Sequence, residues 1–267
     1  MTQLLTDTLA STPTMPVLFI GHGSPMHAIE DGPFSRAWRD MGESLPAPTA
    51  ILVVSAHWMT RGVSLVHVGR KPRTIHDFGG FPRALHEVQY PAPGAPELAA
   101  ATLDLLQNHH AEADMEWGLD HGAWCVLLRM FPKADVPVYQ LSLDLSRPFA
   151  DHMAIARDLR ALRRKGVLIV GSGNAVHNLP AMRYGIEAFD WAREFDENLA
   201  MRIRNHDFGA LAEINPRDPL TRMAHPTVEH LLPLLYTLGA GEEADTPSFF
   251  AEGFDLGSIS MRSVLLS

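Results

Sequence analysis

Three histidines share one kind of placement in this chain. In Pro16-Val17-Leu18-Phe19-Ile20-Gly21-His22-Gly23-Ser24-Pro25, His22 stands just past an apolar run. Ile51-Leu52-Val53-Val54 is followed by Ser55-Ala56-His57-Trp58. Val167-Leu168-Ile169-Val170 is followed by Gly171-Ser172-Gly173-Asn174-Ala175-Val176-His177-Asn178-Leu179. A neutral imidazole is a good ligand for iron or zinc, and a second-layer hydrogen bond sets its tautomer. It also exchanges protons near neutral pH. Catalytic metal sites use about three protein ligands and leave positions open.

The elements that must position these residues follow from the runs. Each run reads as a strand buried on both faces. Glycines let the backbone turn sharply where a run ends. Ligands and catalytic groups collect past the carboxyl ends of strands in open α/β sheets. If the three strands are parallel neighbours, the three imidazoles converge on one rim.

A further ligand can come from His225-Pro226-Thr227-Val228-Glu229-His230, which opens an expected buried helix over 226–238. Adjacent helical residues point about 100° apart, so Glu229 or His230, not both, would serve one metal. His177 is then a fourth ligand or a nearby acid/base. His121, in Gly118-Leu119-Asp120-His121-Gly122, is a candidate for binding substrate or supporting the site. The other histidines have plainer readings. His109, His110, His152 and His206 fall on polar helical stretches and read as solvent-facing; His67 falls on an edge strand and His27 in a loop.

A chain of 267 residues with 46% hydrophobic and 20% charged residues has material for one sizeable soluble domain. The net charge of -9, without a basic patch, argues against a nucleic-acid partner. Arg160-Ala161-Leu162-Arg163-Arg164-Lys165 reads as the basic last turn of a helix. The single cysteine, Cys125, excludes an internal disulfide and reads as a core residue of a reducing, cytoplasmic compartment. No apolar run approaches the roughly 20 residues of a membrane span. Residues 1–15 read as a loose tail, not a signal peptide, and 16–267 as a single catalytic domain.

Helices are expected over 34–43, 96–109, 123–131, 146–165 (with Ser146 as N-cap), 189–206 and 226–238. Further strands are expected over 63–68, 136–143 and 258–266. Helices and strands alternate, so the fold class is α/β, with a central mostly parallel or mixed sheet flanked by helices on both faces. Residues 69–96 form a long loop rich in proline, glycine and aromatics, read as a lid or pocket wall.

Taken together, the motifs around His22, His57, His121, His177 and His230 resemble the 4,5-DOPA extradiol dioxygenase family. That family belongs to the class III extradiol ring-cleaving dioxygenases, with protocatechuate 4,5-dioxygenase as type enzyme. The likeness runs in the same motif order from about residue 16 to the C-terminus. It implies a non-haem iron(II) enzyme that opens a catechol with dioxygen to a hydroxymuconic semialdehyde; zinc can occupy such a site. Carried over by motif, His22 and His57 are ligands and His230 completes the set. His177 is the acid/base, counted in some members among the ligands. The wider class uses a glutamate as third ligand, and here Glu229 stands beside His230. The same residues leave two other readings open: a zinc hydrolase using a metal-bound hydroxide, and a non-catalytic binding protein on the same fold.

Overall fold

The computed structural model describes residues 5–267. Eight strands form one sheet: β1 (Val17–Gly21), β2 (Ala50–Thr60), β3 (Ser64–His67), β4 (Ala111–Asp114), β5 (Val138–Asp144), β6 (Val167–Gly173), β7 (Pro247–Phe250) and β8 (Ser263–Leu266). Their spatial order is β4-β3-β5-β2-β6-β1-β8-β7. The central four, β5-β2-β6-β1, are all parallel. At one edge β8 pairs antiparallel to β1, and β7 to β8. At the other, β3 runs antiparallel to β5 and parallel to β4. The three histidine-bearing runs are therefore adjacent and parallel, β2 and β1 lying on either side of β6.

Strand alternation divides the core between two layers. Val17, Phe19, Leu52, Val54, Val167 and Ile169 face α2 (Pro96–Leu105), α4 (Phe149–Leu159), α5 (Asp190–Arg204) and α6 (Leu232–Ala240). Leu18, Ile20, Ile51, Val53, Leu168 and Val170 face α1 (Pro33–Ser44) and α3 (His121–Met130), where Trp38 and Trp124 are fully buried. Both faces are covered, which is why these strands read as unbroken apolar runs. Each large apolar side chain so buried contributes about 1.5–3 kcal/mol.

Several element boundaries differ from expectation, each for a local reason. The strand expected over 63–68 is Ser64–His67, and it is not an edge strand, because β4 pairs beside it. The helix expected to run to 109 ends at Leu105, freeing that partner strand. The helix expected from Ser146 begins at Phe149, after Pro148. Ser146 instead donates its hydroxyl to Asp144 at 2.6 Å. The helix expected over 226–238 is Leu232–Ala240, with Pro233 in its first turn, where a missing N–H does no harm. Glu229 and His230 thus lie on the turn before the helix. The last expected strand, 258–266, divides into Ile259–Ser260 and β8.

Residues 1–4 of the expected tail lie outside the described residues. Within 5–15, the Thr12 and Met15 N–H groups bond to the carbonyls of Arg164 and Arg163, and Lys165 donates to the Leu9 carbonyl. His152 is buried rather than solvent-facing, with Nδ1 3.2 Å from the Tyr236 hydroxyl. No helix among the described residues is long and apolar enough to cross a membrane.

Candidate active site

The rim at the carboxyl ends of the parallel strands gathers five histidines. His22 follows β1 directly. His57 lies within β2, which continues to Thr60, and not beyond its end as expected. The ladder with β5 slips between Val54 and Met59, so His57 sits in an irregular stretch of the strand. Such irregularities re-aim side chains next to active sites. His177 lies past β6, its N–H bonded to the Ala224 carbonyl at 2.9 Å. His121 is the first residue of α3.

The rings face one another across a cavity of about 340 Å³. His22 Nε2 and His57 Nε2 are 3.1 Å apart. The His230 ring centroid is 5.2 Å from that of His22 and 5.1 Å from that of His57. His177 stacks on His230, and His121 lies 3.9 Å from His57 between centroids. Nitrogens of His22, His57 and His121 lie within 4.8 Å of one another. Ligand atoms of His177, Glu229 and His230 form a second such group. Phe78, Phe81, Leu179, Met182 and Ile259 make up much of the remaining wall. Every histidine that the motifs singled out is therefore in one place. His225 is not; its Nε2 pairs with the Ala175 carbonyl at 2.9 Å, outside the cavity lining.

The sequence marked Glu229 only as a possible ligand, and did not mark the other residues that hold these rings. Asp77, on the long loop, places Oδ2 3.0 Å from His121 Nδ1 and 3.4 Å from His57 Nδ1. Its Oδ1 accepts the His121 backbone N–H at 2.9 Å. The loop thus forms a wall of the cavity, as its composition had indicated, and also supplies a carboxylate. Asp120 caps α3 by accepting from the Ala123 N–H. The same buried carboxylate accepts from Ser55 at 2.6 Å and Gln140 at 3.1 Å, tying the helix start to β2 and β5. Glu229 Oε1 accepts from Thr227 at 2.8 Å and lies 3.3 Å from His230 Nδ1. Only the Asp120-His121 adjacency and the Glu229-His230 adjacency are visible as spacing. Asp77 is 20 residues from His57 and 44 from His121, and no periodicity links them.

Electrostatics favour neutral rings. Burial is the largest cause pushing down the pKa of His22, His57, His177 and His230, reinforced by neighbouring imidazoles. His57 and His177 are each lowered to about 3. Burial works against the Asp77 carboxylate, but contacts with His121 and His57 hold it down at about 2. His22, His57, His177 and His230 are therefore neutral, beside an ionised Asp77 carboxylate, at neutral pH.

The donor set fits a divalent metal. Asp77 stands opposite Nδ1 of His57 and His121, and Glu229 opposite Nδ1 of His230. His22 Nδ1 is likewise taken up, by Ser172 at 3.0 Å. With Nδ1 turned to these groups, Nε2 is the ligand atom that remains. Two such nitrogens at bonds of about 2.1 Å and a near-right angle would stand about 3 Å apart, the separation found between His22 and His57.

A doubly covered α/β sheet with an imidazole-lined cavity at its carboxyl rim defines an α/β protein with a candidate metal centre, and comparison with known families gives it its place. Residues 16–261 match the family described as "Catalytic LigB subunit of aromatic ring-opening dioxygenase", and the chain belongs to that family. It is a ring-cleaving dioxygenase of the extradiol kind. A protein of Escherichia coli (strain K12) named "4,5-DOPA dioxygenase extradiol" is 43% identical, covering 99% of each chain. A protein of the same name from Beta vulgaris is 38% identical over 92% of this chain and 94% of its own. A crystal structure of an uncharacterized Escherichia coli K12 protein superposes with a TM-score of 0.80 at 39% identity, covering 95% of this chain and 100% of that one.

Proposed function

We propose that this enzyme opens the ring of a catechol with a small side chain, DOPA or a related compound, beside its two hydroxyls. The product would be a hydroxymuconic semialdehyde. The observation that carries the reading is the pair of His22 and His57 Nε2 atoms 3.1 Å apart, facing a cavity that also holds His230. The relatives named as DOPA dioxygenases support the substrate class.

In this reading His22, His57 and His230 hold iron(II), and zinc can take the same place. When bound, iron(II) supplies the redox centre at which a catechol and dioxygen can react despite the spin mismatch between them. Glu229 serves as the orienting partner of His230, its Oε1 accepting from Thr227 and lying 3.3 Å from His230 Nδ1. His177 and His121 are the acid/base pair. His177, neutral when the cavity is empty of charge, accepts a catechol proton at its ring. A nearby catecholate raises its pKa, since an opposite charge favours the cation. The proton can then be returned during ring opening. His121, fixed by Asp77, is the second carrier. Its place among the nitrogens near His22 and His57 also leaves it beside the reacting atoms. Phe78 and Phe81 flank the ring and limit water.

Residues 16–267 act in this reading as one catalytic domain. A single buried cysteine fits a reducing compartment, which supports a cytoplasmic setting. The test is anaerobic reconstitution with iron(II), followed by oxygen uptake across a panel of catechols. Uptake in proportion to catechol, with a yellow product, is expected; no uptake across the panel would overturn the reading.

A further inference from the structure

Ser172 joins two walls of the site through a chain of hydrogen bonds whose direction follows from counting protons. It lies near the end of β6, fully buried, and pairs in register with Ile20 of β1 and Ser55 of β2. Its Oγ is 2.5 Å from the Gly122 carbonyl and 3.0 Å from His22 Nδ1. A carbonyl oxygen can only accept, so the one hydroxyl proton goes to Gly122. The serine oxygen is left to accept from His22, and the His22 proton must sit on Nδ1. Its Nε2 then carries the lone pair, and that is the atom facing His57.

Gly122 also packs against β2 with no room for a side chain. A Cβ on Gly122 would lie 2.6 Å from Ser55 Oγ and 2.9 Å from His57 Cδ2. The helix start, β6 and His22 are therefore packed around a single hydroxyl.

We propose that Ser172 is a positioning residue that fixes His22 in the Nδ1–H tautomer, the one form whose Nε2 can hold a metal, with the Gly122 carbonyl as its anchor. The proposal rests on the metal reading above. Without the hydroxyl, His22 Nδ1 loses its acceptor. The other tautomer then gains ground, with an Nε2–H donated towards His57 Nε2. That hydrogen occupies the space between the two ligand nitrogens. Partners of ligating histidines typically account for about 10–100-fold in metal affinity.

Two measurements test this. Long-range proton–nitrogen correlation spectra of metal-free, ¹⁵N-labelled protein report the His22 tautomer. Nδ1–H is expected in the native protein, with a shift towards Nε2–H in Ser172→Ala. A native His22 carrying its proton on Nε2, or an unchanged Nδ1–H form in the variant, overturns the proposal. Chelator competition with zinc and with iron(II) should show Ser172→Ala binding about 10–100-fold more weakly; native affinity overturns it. If the variant does not fold, the native spectrum still decides. If His22→Ala keeps the ion, the metal reading itself fails, while the tautomer spectra continue to read Ser172.

Discussion

His177 and His230 stack face to face, with ring centroids 3.4 Å apart and planes within 7°. Two imidazolium ions could not share that contact without strong repulsion. The stack therefore tolerates at most one protonated ring, and it places His177 directly behind the proposed third ligand.

A pH dependence follows for the metal-free protein. The folded pKa of His177 is lowered from 6.5 to about 3, with burial the largest cause. His230 is lowered in the same direction for the same reason. Between about pH 6.5 and 3 the unfolded chain binds more protons than the native one, so stability rises with pH through that window. The contribution is complete above the unfolded value and is lost progressively as pH falls below it. Thermal melts of metal-free protein should show Tm falling from pH 7 to pH 5. A flat profile in that range would show that the rings are already solvated.

Metal content separates the ligands from their partners. His22→Ala, His57→Ala and His230→Ala should each lose the ion on elemental analysis. Glu229→Ala should keep it but bind about 10–100-fold more weakly, as expected for a residue that only orients a ligand. Loss of the ion in Glu229→Ala with retention in His230→Ala would exchange their roles.

Activity and metal content diverge at His177. As an acid/base, His177→Ala should keep the ion while turnover falls by about a hundredfold or more. If metal and turnover fall together in one preparation, His177 is a ligand.

Gly122→Ala probes the packing behind the site. The added Cβ would meet Ser55 Oγ at 2.6 Å and His57 Cδ2 at 2.9 Å. Overpacking of this kind costs about 1–3 kcal/mol. Here it should also move His57, so metal affinity should fall beyond what the loss of Tm explains. Unchanged affinity would show that β2 yields without shifting the ring.

Metal identity decides the chemistry. The iron(II) form should consume dioxygen with a catechol, and the zinc form should not, because zinc has no redox states to offer. Ester or amide hydrolysis by the zinc form, with no oxygen uptake by the iron form, would reverse this assignment.

The sequence by itself carried the site to the level of strands and motifs. Apolar runs of four residues placed His22 and His177 past buried strands, because a strand covered on both faces needs no polar alternation. It also brought His57, His121 and His230 into one motif set. Only the tertiary structure decided that β2 continues through His57, that Pro233 leaves Glu229 and His230 on a turn, and that β4 covers β3. The same holds for the partners of the rings. Asp77, Ser172 and Glu229 each stand opposite an Nδ1 atom, yet Asp77 and Ser172 reach it from another part of the chain. Local spacing records what a residue does to its own helix or strand. A hydrogen bond between residues 150 apart, such as His22 to Ser172, is specified only once packing of the parallel strands has fixed their register.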